Sequence, residues 1–237
     1  TSGAETASIS ANIFVGQTEA PLVVKPFITK MTKSELNAIM TGGFATVAGG
    51  VMAAYVLMLS NTIPGIAGHL MAASIMSAPA ALVIAKIIYP ENSTPETAKN
   101  NIKLSKVSDE GNFLEALGNG ATEGMKLALN IAAMLIAFLS VLALLNWILS
   151  LIPLGGTVLT FELILGYLFM PLAFLMGAPW SEAHILGTLM GQKLVLTEFI
   201  AYGNLASMSD QLSIRTATIA AYALCGFANF ASIGIQL

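Results

Sequence analysis

From residue 36 to residue 85 the chain carries no Asp, Glu, Lys or Arg, and neither do residues 127–161 or 216–237. About 20 apolar residues in a helix cross a hydrocarbon core of about 30 Å, so each run is long enough to span. A buried helix of a soluble protein is rarely so long without a charge. The composition agrees: 56% of residues are hydrophobic and 10% are charged, against about a quarter charged in a soluble domain. Mean hydropathy is +0.78. An all-α polytopic protein of the plasma (inner) membrane, multi-pass and partnered by the lipid bilayer, is expected.

The other bulk properties exclude more than they suggest. Net charge is −3 with no basic patch and interleaved aromatics, so no nucleic-acid partner is expected. A single cysteine, Cys225, excludes an intrachain disulfide and offers no metal cluster. The chain opens on Thr1-Ser2-Gly3-Ala4 and stops inside an apolar run at Ile235-Gln236-Leu237, so it is expected to be a portion of a longer protein.

The apolar sequence is interrupted in a repeated way. Between Ile13 and Val24 stand Gly16-Gln17-Thr18-Glu19-Ala20-Pro21. A carboxylate at membrane depth is costly, and Pro21 suits the first turn of a new helix. Residues 1–33 therefore read as the second half of a first re-entrant hairpin. Residues 34–60 form a transmembrane helix broken near Gly42 to Gly50, where four glycines fall in nine residues. A span over 66–88 follows, stopped by Pro90. Residues 89–124 are the most polar part of the chain and read as a cytoplasmic connector, with a short amphipathic helix near Phe113–Leu117. Residues 125–152 form a long transmembrane helix of a scaffold, and 160–177 an interfacial helix. Gly191-Gln192-Lys193 and Thr197-Glu198 interrupt a second re-entrant hairpin over 180–203. A broken transmembrane helix over 213–237 closes the chain.

Lys and Arg distribution orients these segments. Lys25, Lys30 and Lys33 precede the first span, and Lys86, Lys99, Lys103, Lys106 and Lys126 flank the connector. The turns at 61–65 and 152–160 carry none. Eight of the ten basic residues thus agree with one topology, which places both basic regions in the cytoplasm. Two interrupted segments, each followed by a broken span, point to an inverted-repeat transporter core with two re-entrant helical hairpins.

The polar residues inside these interruptions are the candidate site. Gln17, Thr18 and Glu19 offer donors and acceptors in a water-poor tip, suited to a ligand with a heterocyclic hydrogen-bonding edge. A plain cytoplasmic loop is the alternative. Thr197 and Glu198 are the matching pair, unless Glu198 serves a salt bridge to Lys193. Asn229 and Ser232, three apart, share a helix face and could equally glue helices together. Asn12 and Thr46, near Val15 and Val47, could supply hard oxygens to a cation, or Asn12 could cap the hairpin. His69 and His184 are isolated and expected to be satisfied interfacial or core residues. Trp147 and Trp180 fall near span ends, as an aromatic belt would place them. No Ser-His-Asp set, metal-ligand spacing or phosphate loop is present, so no catalytic residue and no enzyme is expected.

Five blocks resemble the concentrative nucleoside transporter family. They are Gly16 to Val23, Met40 to Gly50, Met76 to Leu82, Gly191-Gln192-Lys193 with Glu198-Phe199, and Ala223 to Phe230, in the family's order over nearly the whole chain. The resemblance implies a homotrimer of cation-coupled nucleoside symporters, working by alternating access, whose transport domain moves against a trimerisation scaffold. It implies that Gln17, Thr18 and Glu19 bind the nucleobase, with Val51 packed on it, and that Glu198, Asn229 and Ser232 hold the ribose hydroxyls. It assigns sodium, with the proton as alternative, to Asn12, Thr46 and the carbonyls of Val15 and Val47. Thr46 departs from the serine of close relatives but keeps the oxygen, which favours sodium. An intramembrane enzyme using Glu19 or Glu198 as a base would need a second catalytic group at the same depth. A channel would repeat one pore-lining element, whereas the two hairpins here differ.

Overall fold

The structure is a computed structural model that describes residues 1–98, 112–154 and 157–236. Side-chain caps decide where most of its helices begin. Helix α1 (Gly3–Asn12) starts at Ser2, whose hydroxyl accepts from the Glu5 amide while the Glu5 carboxylate accepts from the Ser2 amide. It ends at a break over residues 13–19. A 3-10 turn (Ala20–Val24) with Pro21 near its start follows, then the single turn of α2 (Lys25–Ile28). Ala4, Val24 and Ile39 bury one side of this helix–break–helix unit. Thr32 and Glu35 form a second capping box at the start of α3 (Lys33–Ala45). That helix stops at Thr46 and resumes as α4 (Gly49–Leu59). The break is narrower than the glycine pattern suggested: Gly42 and Gly43 stay helical in α3, and Gly49 and Gly50 open α4.

Helix α5 (Ile66–Ile88) follows Gly65 and carries Pro79 inside it. Helix α6 (Phe113–Ser150) is 38 residues long and begins at Asn112, whose side chain accepts from the Glu115 amide. This corrects the sequence reading, in which 89–124 was connector and the span began at 125. The polar Phe113–Glu123 region forms the first turns of one long helix, because a helix leaving the bilayer can keep its hydrogen bonds while its side chains become hydrophilic. Residues 99–111 of the expected connector lie outside the described residues. A two-residue antiparallel pair, Pro153–Leu154 with Thr157–Val158, links α6 to α7 (Phe161–Leu175). Helix α8 (Trp180–Val195) packs closely along α7, with Gly187 against Gly166, and is separated by Leu196 and Thr197 from α9 (Glu198–Ser207). Helix α9 thus runs past residue 203, where the sequence reading ended the expected second hairpin. Ser213 caps α10 (Ile214–Leu224), which breaks at residues 225–229 before α11 (Phe230–Gln236).

Among the described residues three stretches are long and apolar enough to cross a membrane: Lys33–Leu59, Ile66–Ile88 and Phe113–Ser150. The main core lies between α4, α5, α8, α9 and α10, around Leu59, Leu70, Leu186, Leu205 and Leu224, with Tyr55 stacked on Tyr202 at 4.2 Å. Helix α6 packs on α11, with Met134 and Phe138 against Gly234, but Leu142 is its only buried residue in this chain. One end of the bundle is tied by Lys86 near the end of α5. Its ammonium lies 2.7 Å from buried Glu5 of α1, 2.9 Å from Ser34 of α3 and 3.9 Å from Glu91. Removing one partner of such a pair strands the other's charge.

The two halves share one plan: a helix, a break and a helix, then a helix broken in its middle. The breaks also touch. Gly226, at φ +105, stands where a Cβ would come within 2.7 Å of the Phe44 carbonyl and 2.8 Å of that of Ala45. Only glycine adopts that backbone and approach without strain. Gly226→Ala should therefore lower the thermal stability of the purified full-length protein by more than about 1 kcal/mol. Gly203→Ala, a helical glycine with open space around it, should be neutral or stabilising. Equal melting temperatures for Gly226→Ala and wild type would show that the breaks do not meet.

Candidate functional site

Breaking a helix frees up to four carbonyls on one side and four amides on the other. At the break after α1, the Phe14 carbonyl accepts from the Gly49 amide at 3.0 Å, so the tip of this turn docks on the start of α4. Gly16, at φ +111, lets the chain turn beside Ala48. The tip residues Gln17 and Thr18, and Glu19 after them, thereby face the break of α3–α4.

Around this tip lies a cavity of about 170 Å³, bounded by Gln17, Thr18, Glu19, Thr46, Val51 and Phe227. It joins residues from the hairpin, both broken helices and, through Ile131, helix α6. Gln17 and Thr18 also line a neighbouring cavity of about 250 Å³, and Glu19 one of about 500 Å³. Gln17 is buried, Thr18 half-buried and Glu19 exposed, its carboxylate accepting from the Thr18 hydroxyl at 2.7 Å. The three polar side chains are thus gathered at one opening, with Glu19 at its wet edge.

A second cluster sits one turn further along α4. Val51 lines the cavity, and Tyr55, four residues on, donates to Glu198 Oε1 at 2.9 Å. Asn229 Nδ2 donates to Glu198 Oε2 at 3.3 Å, while Asn229 Oδ1 accepts from the amide and hydroxyl of Ser232 at 2.9 and 3.0 Å. All four residues are buried, and Glu198 opens α9 where helix amides are free to meet a carboxylate. The structure brings Glu198, Asn229 and Ser232 into one network. The salt bridge to Lys193 is replaced by other bonds: Lys193 Nζ donates to the carbonyls of Ala223 and Cys225, each at 3.1 Å. A rigid helix end bearing free carbonyls outcompetes a carboxylate already held by Tyr55 and Asn229.

A third group lies between α1 and α3. Asn12 Nδ2 donates to the Gly42 carbonyl at 2.7 Å and to the Thr46 hydroxyl. Thr46 in turn donates to the Asn12 carbonyl at 3.2 Å. Asn12 Oδ1 is buried without a hydrogen-bond partner. Such an orphaned acceptor costs roughly 1–3 kcal/mol unless something meets it. Val47 is buried beside this pair, while the side chain of Val15 is exposed on the hairpin break.

Four contributors escaped the sequence reading. Tyr55 and Phe227 come from helices whose apolar pattern conceals them, Ile131 from a helix placed in the scaffold, and Tyr202 by donating to the Ala221 carbonyl at 2.7 Å. Only the arrangement of Phe227 two positions before Asn229 could have hinted at the cavity. Of the two histidines, His69 pairs with Tyr222 at 3.2 Å as a satisfied residue. His184 does not: its Nε2 is buried without a partner, and its ring lies on Tyr167 at 4.5 Å. Hydrogen bonds from Thr216 and Ser213 together outweigh the opposing effect of burial and hold Glu182 below the usual carboxylate range.

Broken helices whose free ends meet around a polar cavity between long apolar helices define a multi-pass membrane protein of the secondary-transporter class. The chain belongs to the concentrative nucleoside transporter family. The family described as "Na+ dependent nucleoside transporter C-terminus" matches residues 69–237. The uncharacterized transporter YutK of Bacillus subtilis (strain 168) is 48% identical over 241 residues, covering 100% of this chain and 58% of the relative. Sodium/nucleoside cotransporter 1 of Rattus norvegicus is 42% identical over 257 residues, covering 100% of this chain and 38% of the relative. The solved structure of CNTnw in an inward-facing substrate-bound state is 46% identical, with a TM-score of 0.78, and covers 98% of this chain and 55% of that one. The chain therefore spans between about a third and three-fifths of the relatives it matches. The names these relatives carry are those of transporters, not enzymes.

Tyr55→Phe should leave Glu198 Oε1 without its donor and destabilise the full-length protein by about 1–3 kcal/mol. In a double-mutant cycle with Glu198→Gln, the two losses should be non-additive by at least about 0.5 kcal/mol. Additive losses would mean that Tyr55 does not hold the carboxylate.

Proposed function

We propose that the full-length protein is a sodium-coupled nucleoside symporter of the inner membrane, importing nucleosides by alternating access. The observation that carries this reading is the cavity where Gln17, Thr18, Glu19, Val51 and Phe227 converge one turn from the Glu198–Asn229–Ser232 network. A nucleoside has a flat heterocycle with a hydrogen-bonding edge at one end and vicinal hydroxyls at the other. Gln17, Thr18 and Glu19 bind the nucleobase edge, Val51 packs on its face, and Glu198, Asn229 and Ser232 receive the ribose hydroxyls. A carboxylate has about four acceptor sites. Glu198 therefore has capacity left for a sugar hydroxyl after Tyr55 and Asn229 are bound.

Sodium is the co-substrate, held by Asn12, Thr46 and the carbonyls of Val15 and Val47. The partnerless Asn12 Oδ1 beside the Thr46 hydroxyl fits a cation that needs hard oxygens. Names of relatives such as sodium/nucleoside cotransporter 1 support the same ion. The hairpins over 1–33 and 180–203 enter the membrane from opposite sides, and three copies assemble through a scaffold that includes α6. Its almost wholly exposed apolar surface supports that role, since it needs lipid or protein to cover it.

Two experiments on the full-length protein in proteoliposomes test this. Gln17→Ala or Glu19→Ala should weaken uridine binding by roughly 1–3 kcal/mol, the cost of an unmet polar partner. Wild-type affinity in a folded Glu19→Ala protein would remove the base-binding role of the first hairpin. Thr46→Val keeps the shape and deletes the oxygen. It should raise the sodium concentration for half-maximal uptake while leaving uridine affinity at saturating sodium nearly unchanged. Uptake that follows the pH gradient and ignores sodium would replace sodium by the proton.

A further inference from the structure

Lys193 has no place in the symport scheme, yet its bonds are unusual for a lysine among membrane helices. Its ammonium donates to two main-chain carbonyls, those of Ala223 and Cys225, at the point where α10 breaks. The last four carbonyls of a helix lack intrahelical partners, and that end carries roughly half a negative charge. Lys193 therefore holds a cation on the negative end of an interrupted helix.

The first half of the chain builds the same place with different residues. There the interrupted helix is α3, and its end is addressed by Asn12, the last residue of α1. Lys193 likewise comes from the last turn of α8, the first helix of the second hairpin unit. Each side chain reaches from a hairpin helix to carbonyls in the final turn of the following broken helix. The difference is charge. Asn12 is neutral, its Oδ1 is left without a partner, and Thr46 adds only a hydroxyl. Among the described residues no cationic side chain bonds this end. One negative helix end is thus supplied with a positive charge by the sequence, and the other is left to take one from solution.

We infer that Lys193 is a tethered counterpart of the coupling cation, filling permanently in the second half the position that an exchangeable ion fills in the first. This rests on the proposed cation site at Asn12 and Thr46 and goes beyond it. It assigns Lys193 a positioning role: it fixes the break that presents Asn229 and Ser232, as the mobile ion fixes the break that presents the base-binding tip. It also sets the coupling ratio, because a cation that cannot dissociate cannot be transported.

The test uses purified full-length protein and the sodium dependence of its melting temperature, with choline chloride holding ionic strength constant. A ligand that binds only the folded state raises the melting temperature saturably. Wild type should show one such rise, and Asn12→Leu should abolish it. Lys193→Ala opens a gap lined by carbonyls, so Asn12→Leu/Lys193→Ala should regain a sodium-dependent rise. Asn12→Leu/Lys193→Met, which fills the gap with an apolar stem, should not. A purely structural lysine would make the alanine and methionine variants alike, neither responding to sodium, and that result would overturn the inference. If Asn12→Leu alone still responds, the cation site proposed at Asn12 is wrong. Lys193→Ala must then still exceed wild type in sodium response for the tethered-cation role to stand. Should the alanine variants fail to fold, the wild-type charge carried per uridine decides: one positive charge supports the inference, and two would overturn it.

Discussion

A helix interrupted inside a bilayer leaves amides and carbonyls that water does not reach, and each must be met by something else in the protein. This requirement governs the packing of the whole chain. The carbonyl of Phe14 is met by the Gly49 amide, that of Gly42 by Asn12, and those of Ala223 and Cys225 by Lys193. Gly226 lies directly against the carbonyls of Phe44 and Ala45. Because each break is satisfied by a neighbour of another element, the breaks must converge. The polar cavity follows from that convergence. It lies where three interrupted segments have given up their own hydrogen bonds.

Much of this was legible in the sequence, for a physical reason. Glycine clusters and polar triplets inside charge-free runs are too costly to occur without a use. Gly42 to Gly50, Gln17-Thr18-Glu19 and Thr197-Glu198 therefore signalled a transporter-like helical core without any knowledge of contacts. The position of the α3–α4 break was less legible, because glycine lowers helix stability without forcing a stop. Tertiary contacts around Ile9 kept Gly42 helical, where a Cβ would clash with that side chain. Helix α6 was misread at its start because charge was taken as the mark of a connector. The Asn112 cap and Glu115 were there to be read as a helix start.

The partners of the buried charges were not legible. Tyr55 and Glu198 are 143 residues apart, and nothing in the apolar pattern of α4 separates Tyr55 from an ordinary core aromatic. Lys193 and Glu198, five positions apart and opposite in charge, invited a salt bridge that the backbone does not allow. Leu196 and Thr197 break the helix between them, so the two side chains leave on different elements. Sequence proximity is a poor guide to pairing wherever a helix is interrupted, since i,i+4 geometry ends at the break.

The same reasoning explains why the two hairpins differ in composition while repeating one plan. A symmetric pair of helix ends could each be neutralised by a mobile ion, but each ion released to the cytoplasm must then be driven out again. Building one positive charge into the chain removes that requirement at one end and leaves it at the other. Under the proposed cation site, the end that stays open is the one next to Gln17, Thr18 and Glu19, whose tip is docked on α4 through Phe14 and Gly49. The end that is closed lies beside Glu198, whose carboxylate Tyr55 and Asn229 already hold. Coupling between two ligands is reciprocal only where both act on the same movable element. On the proposed reading, a cation at Asn12 and Thr46 and a base at Gln17, Thr18 and Glu19 would act on one element, the tip whose Phe14 carbonyl accepts from the Gly49 amide.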